Sequence, residues 1–205
     1  MIQRLPLPED FGTLYAHFMP DAAKRQHHDL AHELLHKALP QYAQSRGIAV
    51  TDEPPLLTFG KNGKPALAEH PEIRFNLSHC DGLAVCLFSP HECGADCESI
   101  RTYKPRTAQR VCSDSELAML EQTEDRDFLF TRLWTLKEAY VKAIGIGISY
   151  PLREVSFAFA GDRIISSKPD MSFFQILLDG HVVSVCVPGD MPEQNVLTME
   201  SLLPR

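Results

Sequence analysis

Residues 73–99 read IRFNLSHCDGLAVCLFSPHECGADCES and contain three short runs of β character: IRFNLSH (73–79), GLAVCLFS (82–89) and CGADCE (93–98). Upstream, Pro54-Pro55 and the run Gly60-Lys61-Asn62-Gly63-Lys64-Pro65 are turn chemistry. Before these, Ala31, Leu34, Leu35, Ala38, Leu39 and Tyr42 recur at helical spacing, which predicts an amphipathic helix over roughly residues 21–46 after the start signal Pro20-Asp21. Downstream, Ser113 followed three residues later by Glu116 is a capping-box signature for a short helix. Asp125 or Asp127 begins a longer helix that runs to about Ala143 and is stopped by Gly145 and Gly147. Alternating runs follow at 155–160 (VSFAFA), 172–178 (SFFQILL) and 181–187 (HVVSVCV), the last two joined by the hairpin signal Asp179-Gly180. The order helix, strands, helices, strands predicts an α+β fold, with halves at 1–100 and 101–205 sharing one compact unit. No internal repeat, low-complexity segment or interdomain linker is visible, and the tail after Pro188 carries no signal.

A chain of 205 residues, 44% of them hydrophobic, suits one sizeable domain or two small halves with a common core. No run of eighteen apolar residues occurs, and the start MIQRLPLPEDFG lacks the features of a secretory signal, so a cytoplasmic protein is expected. The six cysteines include no CxxC pair and read as small buried hydrophobes rather than disulfide partners. His91, Cys93 and Cys97 fit no standard zinc spacing and lack an evident fourth ligand. A net charge of −7 argues against nucleic acid or an anionic membrane as partner. One segment departs from that balance: SIRTYKPRTAQRVCS (99–113) holds Arg101, Lys104, Arg106 and Arg110 with no acid among them. A solvated loop and helix face is its plain explanation.

Three groups of residues carry chemistry. Asp96 and Glu98 stand two apart in an extended segment, so both carboxylates leave one face of the strand. Two like charges so close call for a compensating cation, and a hard ion such as Mg²⁺ suits carboxylates better than zinc does. Acidic pairs of this spacing are also common on solvent-facing strands. On the long helix, WTLKEAYVK (134–142) puts Glu138 and Lys142 one turn apart on one face. They form either an ordinary surface ion pair or a metal ligand beside a phosphate-binding lysine, while Leu136 and Val141 face the core and Trp134 is a structural anchor. In FNLSH (75–79), Ser78 and His79 point to opposite faces of a strand and no GxSxG elbow exists, which disfavours a serine hydrolase. They are better placed to hold an anionic ligand, a structural histidine being the alternative.

Taken together, FNLSH (75–79), GADCE (94–98) and WTLKEAYVK (134–142) resemble, in order and spacing, the Sfp-type (surfactin-type) 4′-phosphopantetheinyl transferases. The resemblance runs from about Lys24 past Pro151, most of the chain. It implies a monomer with the 4′-phosphopantetheinyl transferase-like fold: two similar α+β halves related by a pseudo-twofold, with coenzyme A in the cleft between them. It makes Asp96, Glu98 and Glu138 the ligands of Mg²⁺, or of Mn²⁺ in its place, with the ion bridging the pyrophosphate of CoA. Lys142 would contact phosphate, Ser78 and His79 the adenosine 3′-phosphate end, and Lys64 of GKP another phosphate group. Lys24 or Arg25 would supply a further basic contact. Where many relatives carry an arginine on the first long helix this chain offers His32, a weaker and pH-dependent phosphate ligand.

The implied reaction is attack by a carrier-protein serine on the pantetheine-side phosphate of CoA, with Lys142 neutralising charge and Glu138 as first candidate for the base, directly or through water. Acyl or peptidyl carrier proteins are acidic helical bundles, so Arg101, Lys104, Arg106 and Arg110 become candidates for the docking face. A carboxylate-metal phosphohydrolase and a non-catalytic CoA- or carrier-binding homologue are the competing readings. The first leaves FNLSH and WTLKEA unexplained, and the second does not account for three intact candidate ligands.

Overall fold

The computed structural model describes residues 2–18, 27–147, 149–178, 180–189 and 196–199. Its first half contains β1 (Ile2–Leu5), β2 (Thr13–Phe18), α1 (His27–Ser45), β3 (Leu57–Phe59), β4 (Pro65–Leu67), β5 (Arg74–Cys80) and β6 (Leu83–Ser89). There follow β7 (Gly94–Ser99), α2 (Pro105–Val111), α3 (Asp114–Gln122), α4 (Arg126–Ile144), β8 (Phe157–Ala160), β9 (Arg163–Ser166), β10 (Met171–Leu178), β11 (His181–Pro188) and β12 (Val196–Thr198).

Two four-stranded sheets form, in the orders β1-β2-β6-β5 and β12-β10-β11-β7. β6 is buried at every position because its faces serve two cores. Leu83, Val85 and Leu87 pack between the sheets, and Ala84, Cys86 and Phe88 pack under α1. A strand covered on both sides reads as an unbroken apolar run, as residues 82–89 do. Leu34, Leu35, Ala38, Leu39 and Tyr42 of α1 cover the outer face of the first sheet. Leu133, Leu136, Ala139 and Val141 of α4 cover the outer face of the second. Between the sheets Leu14 and Leu87 meet Ala95, Ile176 and Val183 in a shared core. The protein is therefore α+β, each half a four-stranded sheet carrying one 19-residue helix. β7 lies within the 1–100 half read from the sequence, yet it pairs antiparallel with β11 of the second sheet.

The chain begins with strands rather than a helix, since β1 and β2 precede α1 and join the first sheet through β6. The turn-rich stretch before residue 73 contains the small hairpin β3–β4, and the tail past Pro188 contributes β12, parallel to β10. The start signal Pro20-Asp21 and Asp179 of the Asp-Gly hairpin lie outside the described residues. α4 begins at the N-cap Asp125, whose carboxylate accepts from Phe128 N, and ends at Gly145 with φ +68°, a left-handed conformation that glycine adopts without strain. All six cysteines are buried thiols.

The capping box of α3 has a second use. Ser113 and Glu116 cap each other as the spacing predicts, but the fully buried Glu116 carboxylate also accepts from Phe157 N at 2.9 Å and from Lys137 Nζ at 2.8 Å. Lys137 in turn donates to Leu152 O at 3.0 Å and to Val155 O. This pair locks α4 to α3 and to the chain entering β8. A buried charge left without its partner is strongly destabilising. Lys137→Met should therefore cost about 3–5 kcal/mol in urea unfolding, and adding Glu116→Gln should return part of that loss. A single-variant loss below about 1 kcal/mol, the size of an exposed pair, would contradict this.

Candidate active site

β7 is the last strand of its sheet, so alternate N–H groups on its outer edge face no neighbouring strand of that sheet. Side chains of β5 take them. Asn76 Oδ1 accepts from Ala95 N at 2.9 Å, and Ser78 Oγ accepts from Cys97 N at 3.2 Å. Asn76 and Ser78 stand two apart and so share one face of β5, matching the two-residue repeat of the N–H groups they satisfy.

Ser78 is also a junction. Its hydroxyl donates to Asp96 Oδ1 at 2.9 Å. Lys142 Nζ donates to Ser78 Oγ at 3.0 Å, to Ala95 O at 3.1 Å and to Asp96 Oδ1 at 2.7 Å. The long helix reaches this strand because residue 94 is glycine: a Cβ there would lie 2.0 Å from Ala139 O and 2.4 Å from Ala143 N. Close packing of α4 on β7 brings Glu138 and Lys142 to the edge where Asp96 emerges. With Lys64, Asn76, Leu77 and Asn62 they line a cavity of about 260 Å³.

The electrostatics are those of crowded, half-buried carboxylates. Burial, and next the charge of Asp96, push the carboxyl groups of Glu98 and Glu138 above the usual range. Burial opposes the charge on Lys142, but Asp96, Cys97 and Glu138 outweigh it and hold the ammonium above its ordinary value. Asp96 Oδ2 is buried with no hydrogen-bond partner among the described residues. Among the described residues no three carboxylates, imidazoles or thiols converge closely enough to hold an ion by themselves. The site does offer one orphaned carboxylate oxygen and two neighbouring carboxyls whose charge burial disfavours. A hard divalent cation would relieve both conditions.

The remaining predicted residues divide among several places. Lys64 Nζ donates to Glu92 at 2.9 Å, Cys93 O at 3.0 Å and Ala143 O at 2.9 Å, while Asn62 Nδ2 donates to Gly145 O at 2.9 Å. The loop between β3 and β4 thus braces the C-terminal end of α4 next to Lys142. His79 is exposed, on the face of β5 opposite Ser78, and its ring lies 6.3 Å from that of His28. His28 in turn lies 4.5 Å from His32. Burial, and next the charge of His28, lower the pKa of His32. Lys24 and Arg25 lie outside the described residues. Lys104, Arg106 and Arg110 are exposed at the start and along one side of α2. Arg101 is set apart from them, its guanidinium donating to Glu98 Oε1 and lying 4.9 Å over the ring of Trp134.

Sequence reasoning missed Asn76, His28 and Thr131, which accepts from Arg101 N at 2.9 Å. The first two had signals. Asn76 and Ser78 are polar residues at strand spacing within an apolar run, and His28 is four residues before His32. Nothing in the spacing marks Thr131.

Two similar halves with a carboxylate-lysine site at their junction define the class. A family model described as the 4′-phosphopantetheinyl transferase superfamily matches residues 92–186. The 4′-phosphopantetheinyl transferase Sfp of Bacillus subtilis (strain 168) is 29% identical over 152 residues, 69% of this chain and 67% of that protein. The 4′-phosphopantetheinyl transferase AcpT of Escherichia coli (strain K12) is 37% identical over 142 residues, 65% of this chain and 67% of its own length. The crystal structure of holo-[acyl-carrier-protein] synthase from Neisseria meningitidis superposes with a TM-score of 0.43 at 18% identity, over 48% of this chain and 98% of that one. The chain belongs to the 4′-phosphopantetheinyl transferase superfamily. It is an enzyme of the transferase class.

Ser78→Ala strips one acceptor from Cys97 N and from Lys142 together. It should lower stability by about 1–3 kcal/mol, the cost of leaving buried groups unsatisfied. Thermal unfolding checks this, and a variant as stable as the parent would show that β5 and β7 are held together by other means.

Proposed function

We propose that this enzyme transfers the 4′-phosphopantetheine group of coenzyme A to a serine of an apo acyl or peptidyl carrier protein, giving the holo carrier and adenosine 3′,5′-bisphosphate. What supports this most is the contact of Lys142 with Asp96, 2.7 Å, at a cavity that Glu138 also lines, in a chain whose relatives are 4′-phosphopantetheinyl transferases.

Asp96, Glu98 and Glu138 would hold Mg²⁺, or Mn²⁺ in its place, together with the pyrophosphate of CoA. When bound, the cation neutralises charge on the pyrophosphate and polarises the phosphorus under attack. Lys142 carries its ammonium to the phosphate oxygens, pre-oriented by Ser78 and by the carbonyl of Ala95. The carrier serine oxygen bonds to the pantetheine-side phosphorus, which loses its bond to the bridging oxygen; that oxygen leaves with adenosine 3′,5′-bisphosphate. Glu138 takes the serine proton, directly or through a water. His79 and His32 hold the adenosine 3′-phosphate end, Lys24 or Arg25 supplies a further basic contact, and Lys64 adds positive charge at the cavity rim. Exposed Lys104, Arg106 and Arg110, with the half-exposed Arg101, dock the acidic carrier. The enzyme works as a cytoplasmic monomer with no nucleic-acid or membrane partner.

Incubation with CoA, Mg²⁺ and an apo carrier protein, followed by intact-mass measurement, should add one phosphopantetheine to the carrier. Chelation with EDTA should stop the reaction, and Mg²⁺ or Mn²⁺ should restore it. Glu138→Ala should abolish transfer. No added mass on any of several carriers would overturn the proposal, and release of free phosphopantetheine without a carrier would favour a hydrolase instead. Charge reversal at Arg106 and Arg110 should raise the apparent KM for the carrier at low salt. An unchanged KM would remove α2 from the docking face.

A further inference from the structure

Two cations sit on the carboxylates of the site, and they are held differently. Lys142 is fixed by Ser78 Oγ and Ala95 O as well as by Asp96, whose Oδ2 has no hydrogen-bond partner among the described residues. Arg101 is fixed through its backbone, its N–H donating to Thr131 Oγ1 of α4 at 2.9 Å. Among the described residues its guanidinium meets one carboxylate, Glu98, and one indole, Trp134. It is 41% exposed, whereas the Glu98 side chain is 14% exposed.

We infer that Arg101 is an internal counter-ion that competes with the divalent cation for Glu98, so that the guanidinium must release this carboxylate before it can ligate metal. The inference rests on the metal reading of Asp96, Glu98 and Glu138. Without a divalent cation, the Arg101 guanidinium against Glu98 offsets the repulsion between the closely spaced Asp96 and Glu98 carboxylates. A bound divalent cation takes over that role, and a guanidinium against the same carboxylate is then repelled. Release does not strand the group. Trp134 lies 4.9 Å beneath it and offers a cation–π resting place at the protein surface. Because residues 100–104 connect β7 to α2, this release takes place in the loop that joins the metal strand to the carrier-docking helix. Arg101 is a positioning residue here, acting on metal through Glu98.

Mn²⁺ binding to the full chain saturated with CoA and without a carrier protein, followed by electron paramagnetic resonance of the free ion, tests the idea apart from activity. Arg101→Gln should tighten Mn²⁺ binding about fivefold, the upper range for a partly exposed pair. Arg101→Lys, which keeps the charge but loses the planar fork, should fall between the two and serves if Arg101→Gln is poorly folded. Arg106→Gln removes the same charge from α2 and should change affinity less than about twofold. On a Glu98→Gln background, Arg101→Gln should tighten nothing, since the pair is already gone. Equal or weaker binding in Arg101→Gln, while Glu98→Gln weakens binding, overturns the inference and leaves the metal site standing. So does equal tightening with Glu98 absent, which would reduce the effect to net charge. Binding indifferent to Glu98→Gln overturns the metal reading and the inference with it.

Discussion

The free edge of β7 is closed by side chains instead of by a strand, and the site is built on that substitution. A backbone ladder between β5 and β7 would have merged the two sheets into one. Asn76 and Ser78 instead accept the N–H groups of Ala95 and Cys97, so the halves abut without fusing. A side-chain acceptor keeps chemical freedom that a ladder carbonyl lacks. Ser78 accepts from Cys97 N and Lys142 and still donates to Asp96. One hydroxyl thus joins the first sheet, the second sheet and α4, and the residue it orients is the most buried carboxylate of the site.

α4 meets this seam at fixed distance and rotation. Gly94 sets the distance, because any side chain at that position would strike the helix backbone. Rotation is set by Lys137, which is fully buried against Glu116, while Lys64 and Asn62 hold the last turn. Successive helix residues diverge by roughly a quarter turn, so WTLKEAYVK distributes several tasks around one helix. Leu136 and Val141 fill the core, Lys137 forms the buried pair, and Glu138 and Lys142 line the cavity. Fixed placement of this kind suits phosphoryl transfer, in which positioning and electrostatics supply most of the rate.

Much of this was legible in the sequence because the signals are local. The doubly buried β6 showed as an unbroken apolar run, α3 as Ser113 with Glu116, and the end of α4 as Gly145. FNLSH, GADCE and WTLKEAYVK together pointed to the family. The parts that stayed hidden depend on contacts between distant residues. Glu116 was readable as a cap but not as the partner of Lys137, and Lys64 as a lysine in a turn but not as the brace of α4. Short strands such as β1 and β12 carry too few residues to reveal periodicity, and they exist because a neighbouring strand offers an edge. Arg101 looked like one of four equivalent cations until the fold set it against Glu98 and Trp134 and left Lys104, Arg106 and Arg110 facing solvent.

The proposed chemistry converges on one location, the junction of β7 and α4, where Asp96 Oδ2 has no hydrogen-bond partner among the described residues. Crystals grown with CoA and Mn²⁺, measured for anomalous scattering at the manganese edge, examine it directly. The expected result is a peak beside Asp96 Oδ2 within reach of Glu98 and Glu138, with the CoA pyrophosphate against Lys142 and the Arg101 guanidinium off Glu98. A peak elsewhere, or CoA bound with no metal at this junction, would contradict it.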